Sequence, residues 1–395
     1  MYTGKATRNV RGIQDFAEHD FYWGMANRER MREFLELARR VGYGSARKEF
    51  DFKVEKPAKF RQYVDSFERA DFHYSLPLTR DSMVLDLGSG YGNITIPLAR
   101  HCAKVVAVDT SLELLEFIKF RAEDEGLTNI EYVHVDPFEY RRFPFEEGSF
   151  DAIIMSGVLE WVGAAKLDEN PRTLQNKLLA RMHALLKRDG FLYLAIENRW
   201  FPDYFKRDPH SKLRYTTQLP RFFANWYARL RGHVDGYRTY IYGYYEYRRM
   251  LLAAGFSHIG FSFPFPSYRN PRAIWPERPE ITDFVLKDDA FRALYSSRWR
   301  SLIRALSRFV TPGLFLSSFM ILAAKGSGRR LPSVLAGLEG YEYGPGDSIV
   351  KYPSDDQDRA TFLLFKDRHS SPYARIVVSR RPVGGKASSI YELIS

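Results

Sequence analysis

The sequence predicts an α/β fold built on a mostly parallel sheet of seven strands, with a helical cover before it, an insertion within it and a small β-rich appendage after it. Three observations carry this expectation. From Met83 onward, short β-branched runs alternate with helical windows, the pattern of βαβ units. A glycine turn, Gly88-Ser89-Gly90-Tyr91-Gly92, follows directly on the first of those runs. An aspartate, Asp109, closes the second run about 20 residues further on, at a strand end where open α/β sheets bind ligands.

The expected strands are 83–87, 104–108, 130–135, 151–155, 190–196, 258–263 and 318–324. Between them helical spacing falls near 94–101, 111–125, 172–187 and 243–254, the last closed by Gly255 in the manner of a C-cap. Residues 1–79 show helical periodicity around 27–41 and 58–72 and read as the cover. Residues 80–326 form the main domain, interrupted at about 199–249 by a connection much longer than usual, a length that tends to mark function. After the linker-like Gly326-Ser327-Gly328-Arg329-Arg330, residues 327–395 are the appendage, with strand-like runs near 348–352, 360–366 and 374–379. The text stops inside what reads as the start of a helix, as the front piece of a longer chain would.

Composition narrows the class. The 395 residues are 45% hydrophobic, enough for a large core without staples. Cys102 is the single cysteine, which excludes an intrachain disulfide framework, and the first residues lack a signal-peptide core, so a cytoplasmic setting is expected. The longest apolar stretch, 309–324, is broken by Pro312 and Gly313 and falls short of the roughly 20 residues a membrane span needs. A formal charge of +11 points to anionic partners. Much of that excess is local, because the insertion holds eleven Lys or Arg against four Asp or Glu, with many aromatic residues among them.

The glycine turn separates two cofactor classes. Glycine lets backbone amides and a helix start approach a ligand closely. The glycines stand at 88, 90 and 92, whereas a dinucleotide fingerprint needs its third glycine where Asn93 stands. Asp136 follows the third strand and Ser156 the fourth, so both join Asp109 at strand ends. With Val84 to Gly92, Asp109 and Phe150-Asp151-Ala152-Ile153-Ile154-Met155-Ser156 in this order, residues from about 80 to 325 resemble the class I S-adenosylmethionine (SAM) dependent methyltransferases. The resemblance implies a Rossmann-like methyltransferase sheet and SAM as cofactor. Asp86 would order the methionine moiety, Gly88, Gly90 and Gly92 would lie under the cofactor, Asp109 with Thr110 would hold the ribose, Asp136 would face the adenine amino group, and Ser156 would close the pocket.

A narrower resemblance lies in Ser156-Gly157-Val158-Leu159-Glu160-Trp161-Val162, in Leu194-Ala195-Ile196-Glu197-Asn198-Arg199-Trp200 and in Phe263-Pro264-Phe265-Pro266-Ser267-Tyr268. These runs look like methyltransferase domains of bacterial polysaccharide and glycan biosynthesis. Glu160 and Glu197 would sit at neighbouring strand ends facing the cofactor, which makes them the candidate catalytic residues, as base or acceptor-orienting groups, with Asn198, Arg199 and Trp200 binding the acceptor. Methyl transfer is chiefly a matter of alignment, and a general base is needed only for a hydroxyl acceptor. His134, His183, His210 and His233 are lesser candidates for that base. No cluster has metal spacing, so no metal is expected.

The leading expectation is O-methylation of a sugar hydroxyl or phosphate on a glycan or lipid-linked glycan. The basic aromatic insertion would be a lid over that anionic acceptor. An RNA or other macromolecule methyltransferase is the alternative, since rings and cations together suit single strands, and nucleic acid ranks below a glycan as partner. A SAM-binding scaffold without turnover is a third reading. Residues 297–309 form a basic amphipathic pattern that either packs on the sheet or lies on an anionic membrane, which allows peripheral contact with the inner face of the membrane. The tail from about 360 to 394 faintly resembles the opening strands of a kinase-like lobe, with no catalytic loop after it, and reads as an appendage for docking or oligomer formation.

Overall fold

The computed structural model describes residues 2–3, 8–136, 143–164, 166–294, 313, 316–326, 347–380 and, for the backbone alone, 389–393. The amphipathic segment 297–309 and most of the linker after Gly326 lie outside the described residues. In chain order the strands are β1 Arg8–Val10, β2 Ile13–Asp15, β3 Met83–Leu87, β4 Lys104–Asp109, β5 Ile130–His134, β6 Phe150–Ser156, β7 Leu186–Glu197, β8 His258–Phe265, β9 Ala273–Pro276, β10 Ser318–Ala324, β11 Ser348–Tyr352, β12 Arg359–Phe365, β13 Ala374–Ser379 and β14 Ser389–Leu393. The α-helices are α1 Arg28–Val41, α2 Tyr43–Glu49, α3 Pro57–Asp65, α4 Thr95–Ala99, α5 Leu112–Asp124, α6 Pro171–Leu185, α7 Asp203–Lys206, α8 Arg221–Leu230, α9 Tyr244–Ala253, α10 Pro279–Lys287 and α11 Asp289–Leu294, and a 3₁₀ turn runs over Glu68–Ser75.

The fourteen strands of the described residues join one sheet in the order β1-β2-β5-β4-β3-β6-β7-β10-β8-β9-β11-β12-β13-β14. Its middle is parallel from β2 through β5, β4, β3 and β6 to β7, and β10 then inserts antiparallel between β7 and β8. These central strands read as near-continuous apolar runs because both of their faces are covered by helices. Val105, Val106, Ala107 and Val108 of β4 are all fully buried.

Seven strands sit where the sequence places them, but the sheet does not stop at seven. The region expected as a separate appendage continues the same sheet, with β9 pairing β11 through the single register pair Ile274 and Lys351. The cover also differs from a purely helical one, since β1 and β2 form a hairpin and β2 adds in parallel to β5. Its helices behave as the periodicity implies. Asn27 caps α1 by accepting from the Glu29 amide, and Met31, Phe34, Leu35 and Ala38 pack with Leu114 and Phe117 of α5. Ion pairs from Arg28 and Arg32 to Glu113 and from Arg39 to Glu116 fix the same contact.

A buried ionic cluster ties the sheet extension to the cover. Asp71, from the 3₁₀ turn, receives Lys351 Nζ of β11 at 2.6 Å and Arg380 Nη2 at 2.7 Å, with all three side chains almost fully buried. Removing the single carboxylate would leave two buried cations facing each other. Asp71→Ala is therefore expected to lose about 3–5 kcal/mol of stability in denaturant unfolding, the usual result of breaking a buried ionic group from one side. A loss below about 1 kcal/mol would mean the cluster does not hold the two regions together.

Candidate active site

Because the strand order reverses between β4 and β6 around β3, the carboxyl ends of these strands open into a crevice. A cavity of about 500 Å³ fills it. At the end of β3 the chain turns sharply at Gly88, where φ is +74° and a Cβ would lie 2.5 Å from Val158 Cγ2. Only glycine fits there. Asp86, Asp109, Asp136 and Ser156 all reach the cavity wall, and so do Gly88, Gly90 and Thr110.

Each of these groups carries a measurable constraint. Asp109 Oδ2 accepts the Gly90 amide at 2.8 Å, and Oδ1 accepts the amides of Thr110 and Ser111 at 2.8 and 3.2 Å. Burial pushes the Asp109 carboxyl up, against the pull of those three amides. Three of roughly four acceptor positions on the carboxylate are thus engaged, which leaves room for one further donor rather than a free pair of oxygens. Asp86 is buried and accepts from Thr95 Oγ1 at 2.6 Å, and burial raises its pKa from 3.8 to about 6. Asp136 spends its two oxygens on the amides of Glu18 and His19, so it anchors the N-terminal segment at the cavity edge.

The cover supplies groups that sequence spacing did not single out. Arg69 lies across the cavity wall, donating to the Ser156 carbonyl at 2.7 Å, to Ser156 Oγ at 3.0 Å and to the Tyr63 hydroxyl at 2.7 Å. Trp23 packs on Trp161 with centroids 5.3 Å apart, and the Met25 amide donates to the Tyr91 hydroxyl at 2.8 Å. The N-terminal residues therefore roof the glycine turn.

The other end of the cavity is walled by Trp161, Tyr268 and Arg269. Directly behind that wall lie Glu160, Glu197 and His210, whose candidate ligand atoms are all within 4.8 Å of one another. Glu197 ends β7, and its Oε1 accepts the Tyr268 hydroxyl at 3.1 Å and Arg269 Nη2 at 2.6 Å. Arg269 Nε also donates to the Tyr268 oxygen at 3.2 Å. The remaining Glu197 oxygen, both Glu160 oxygens and both His210 ring nitrogens are buried without a hydrogen-bond partner. Burial raises Glu160 well above the ordinary range, and the neighbouring Glu197 raises it further. Burial alone would raise Glu197 too, but Arg269 and then His210 hold it below the usual carboxylate value. The surroundings thus push the two carboxyls in opposite directions, Glu160 up and Glu197 down.

Residues 85–194 match the family model described as "Methyltransferase domain". They are a SAM-dependent methyltransferase domain. Over 130 residues the chain is 32% identical to the 23S rRNA (uracil(1939)-C(5))-methyltransferase RlmD of Pseudomonas aeruginosa (strain UCBPP-PA14), covering 29% of each chain. Over 61 residues it is 36% identical to RlmD of Vesicomyosocius okutanii, covering 15% of this chain and 14% of that one. The chain thus spans between about a seventh and three tenths of the length of these curated relatives. A solved structure of Haemonchus contortus phosphoethanolamine N-methyltransferase 2 in complex with SAM is 16% identical, with 74% of this chain and 60% of that one covered at a TM-score of 0.37.

The methyltransferase domain fits its cofactor on its own geometry. A glycine-lined crevice with buried acidic groups at successive strand ends is what an adenosine and an amino-acid moiety require. Asp86, the glycine turn, Asp109 and Thr110 would hold SAM, with Arg69 and Ser156 at the wall. Three expected acceptor residues lie elsewhere. Asn198 is fully buried, donating to the carbonyls of Gly313 and Leu316. Arg199 donates to the carbonyls of Thr217, Gln218 and Leu219 and lies over the Trp200 ring. Trp200 itself is on the surface and absent from the cavity wall. This trio hinges the insertion onto β7 and does not line the cavity. The insertion instead delivers His210, whose amide is fixed at 2.9 Å by Asp208 Oδ1 and whose ring meets Trp161 edge-on at 5.1 Å.

The raised Asp86 pKa has a signed consequence. Below about pH 4 its carboxyl is neutral in the folded and unfolded chain, and above about 6 it is ionised in both, so the cost of burying the charge develops between those values. Without SAM, Asp86→Asn is expected to be more stable than wild type at pH 7 by at most about 3 kcal/mol, with the gap closing toward pH 4. Thermal melts across that range check this, and a gap independent of pH contradicts it.

Proposed function

We propose that the chain is an O-methyltransferase whose acceptor is a sugar hydroxyl or phosphate of a glycan or lipid-linked glycan. The observation that carries this reading is the Tyr268 hydroxyl, which lines the cavity and donates to the Glu197 carboxylate oxygen behind it. Bound SAM supplies an electrophilic methyl group for in-line displacement. An acceptor hydroxyl placed against Tyr268 can lose its proton to the tyrosine oxygen as the tyrosine proton passes to Glu197 Oε1, with Arg269 steadying the oxygen between them. Arg269 and the exposed Lys59 bring positive charge to the cavity wall, which suits a phosphorylated acceptor. The rings of Trp161 and Trp23 offer flat apolar faces beside them.

The relatives named for 23S rRNA favour a second reading, methylation of RNA, together with the basic insertion. Carbon methylation of a pyrimidine ring calls for a nucleophile that first adds to the ring. Cys102 cannot serve, because it lies away from the cavity wall and burial pushes its thiol up to about 12. The proton relay at Tyr268 supports oxygen as acceptor atom instead.

A peripheral bilayer contact is part of the proposal. Helix α8 turns only Ala224 and Ala228 inward and exposes Phe222, Phe223, Trp226 and Leu230, with Phe222 77% exposed. The four-residue spacing of 222, 226 and 230 makes one apolar ridge, and the exposed Arg229 and Arg231 at the end of the same helix add positive charge beside it. Aromatic residues within a basic rim suit an anionic interface, where a lipid-linked acceptor would be met. Among the described residues no helix is long and apolar enough to cross a membrane.

Two measurements bear on these readings. Tyr268→Phe is expected to lower kcat by about 10²–10⁴-fold while SAM affinity stays within about twofold, the signature of a lost proton acceptor. Unchanged kcat would remove the relay. In flotation with vesicles containing phosphatidylserine, wild type is expected to co-float and the Phe222→Ser/Trp226→Ser variant to remain in solution. Equal behaviour of the two, or binding of RNA in preference to vesicles with a steep salt dependence, would overturn the bilayer contact.

A further inference from the structure

Glu160, Glu197 and His210 come from three separate parts of the chain: the segment after β6, the end of β7, and the insertion. Five of their six side-chain ligand atoms are buried and have no hydrogen-bond partner. Buried polar atoms are nearly always paired, so a concentration of unpaired ones in a single place points to something that pairs them. The side chains of Glu160 and Glu197 are 0% and 4% exposed and that of His210 is 3% exposed. Among the described residues Arg269 is the guanidinium bonded to this pair, and it reaches only Oε1 of Glu197.

We propose that Glu160, Glu197 and His210 hold a divalent cation of the Mn²⁺ or Zn²⁺ kind. The inference rests on the reading of this end of the cavity as the acceptor side. Two carboxylates and one imidazole match such an ion in both charge and ligand type, whereas Ca²⁺ and Mg²⁺ prefer shells made of oxygen. Three protein ligands also leave a coordination position open. The supporting groups are already placed. Tyr268 and Arg269 hold Glu197 by Oε1 and leave Oε2 free, and Trp161 packs edge-on against the His210 ring. The His210 backbone is set by Asp208, a fully buried carboxylate that also accepts from Ser211, Thr217 and Tyr237.

The ion would also link the insertion to the sheet, since His210 belongs to one and Glu197 to the other. This gives the long connection between β7 and β8 a specific task, which is to carry the third ligand to two carboxylates that the sheet already holds.

The test uses the full chain, stripped with a chelator and titrated by calorimetry with Mn²⁺ and, separately, with Zn²⁺. Wild type is expected to take up one ion per chain, and His210→Ala and Glu160→Gln to bind it at least about tenfold more weakly, the scale on which even outer-shell partners act. Mn²⁺ is expected to raise the melting temperature of wild type and not of Glu160→Gln, a variant that keeps the shape of the side chain and loses the carboxyl that would bind the ion. SAM affinity is measured alongside. Normal SAM binding without uptake of either ion overturns the metal site alone, and ion affinity unchanged in both variants does the same. Absence of SAM binding strikes the methyltransferase reading on which the inference rests.

Discussion

Two carboxylates brought together behind a cavity wall, with a guanidinium bonded to only one of them, is the constraint on which this end of the structure depends. Glu160 and Glu197 reach the same place because β6 and β7 are parallel neighbours whose carboxyl ends lie side by side. Placing two such groups in a dry interior is unfavourable unless the surroundings respond. Here Arg269 and Tyr268 respond from the loop after β8, and His210 from the insertion. The two glutamates are pushed in opposite directions, Glu160 up and Glu197 down, and it is Glu197 that accepts the Tyr268 hydroxyl.

The N-terminal cover and the far end of the sheet take part in the same arrangement. Trp23 lies on Trp161, which in turn meets His210, so a continuous line of rings runs from the first residues to the carboxylate pair. Arg69 connects the cover to Ser156 at the end of β6, and two residues later Asp71 connects it to Lys351 and Arg380. A disturbance in the sheet extension therefore has a short physical route to the cofactor end of the cavity, through the 3₁₀ turn that carries both residues.

Much of this was legible in the sequence wherever a local rule controls the outcome. The seven central strands and the helices between them follow from period and burial, and the glycine turn from backbone conformation that only glycine takes without strain. What was hidden depends on contacts distant in sequence. Asn198, Arg199 and Trp200 follow a strand end and look like a binding loop, yet the side-chain donors of Asn198 and Arg199 are taken by the carbonyls of residues 217–219 and of 313 and 316, and the Trp200 amide by Asn198 Oδ1. His210 was one of four isolated histidines, and nothing local distinguishes it, because its neighbours Glu160 and Glu197 are 50 and 13 residues away in the chain. The appendage looked separate because its only register pair to the main domain is one residue long. Asp136 kept its place at the cavity but not its vacant oxygens, since the amides that occupy them belong to the cover.

The central claim is that this site passes a methyl group to oxygen on a glycan-type acceptor, through Tyr268 and Glu197. The most direct measurement is transfer of labelled methyl from SAM into fractionated cell extract, with glycan, glycolipid, RNA and protein pools counted separately for wild type and for Tyr268→Phe. The account requires label in the glycan or glycolipid pool that falls sharply in the variant. Label in RNA, or label in any pool that Tyr268→Phe leaves unchanged, would contradict it.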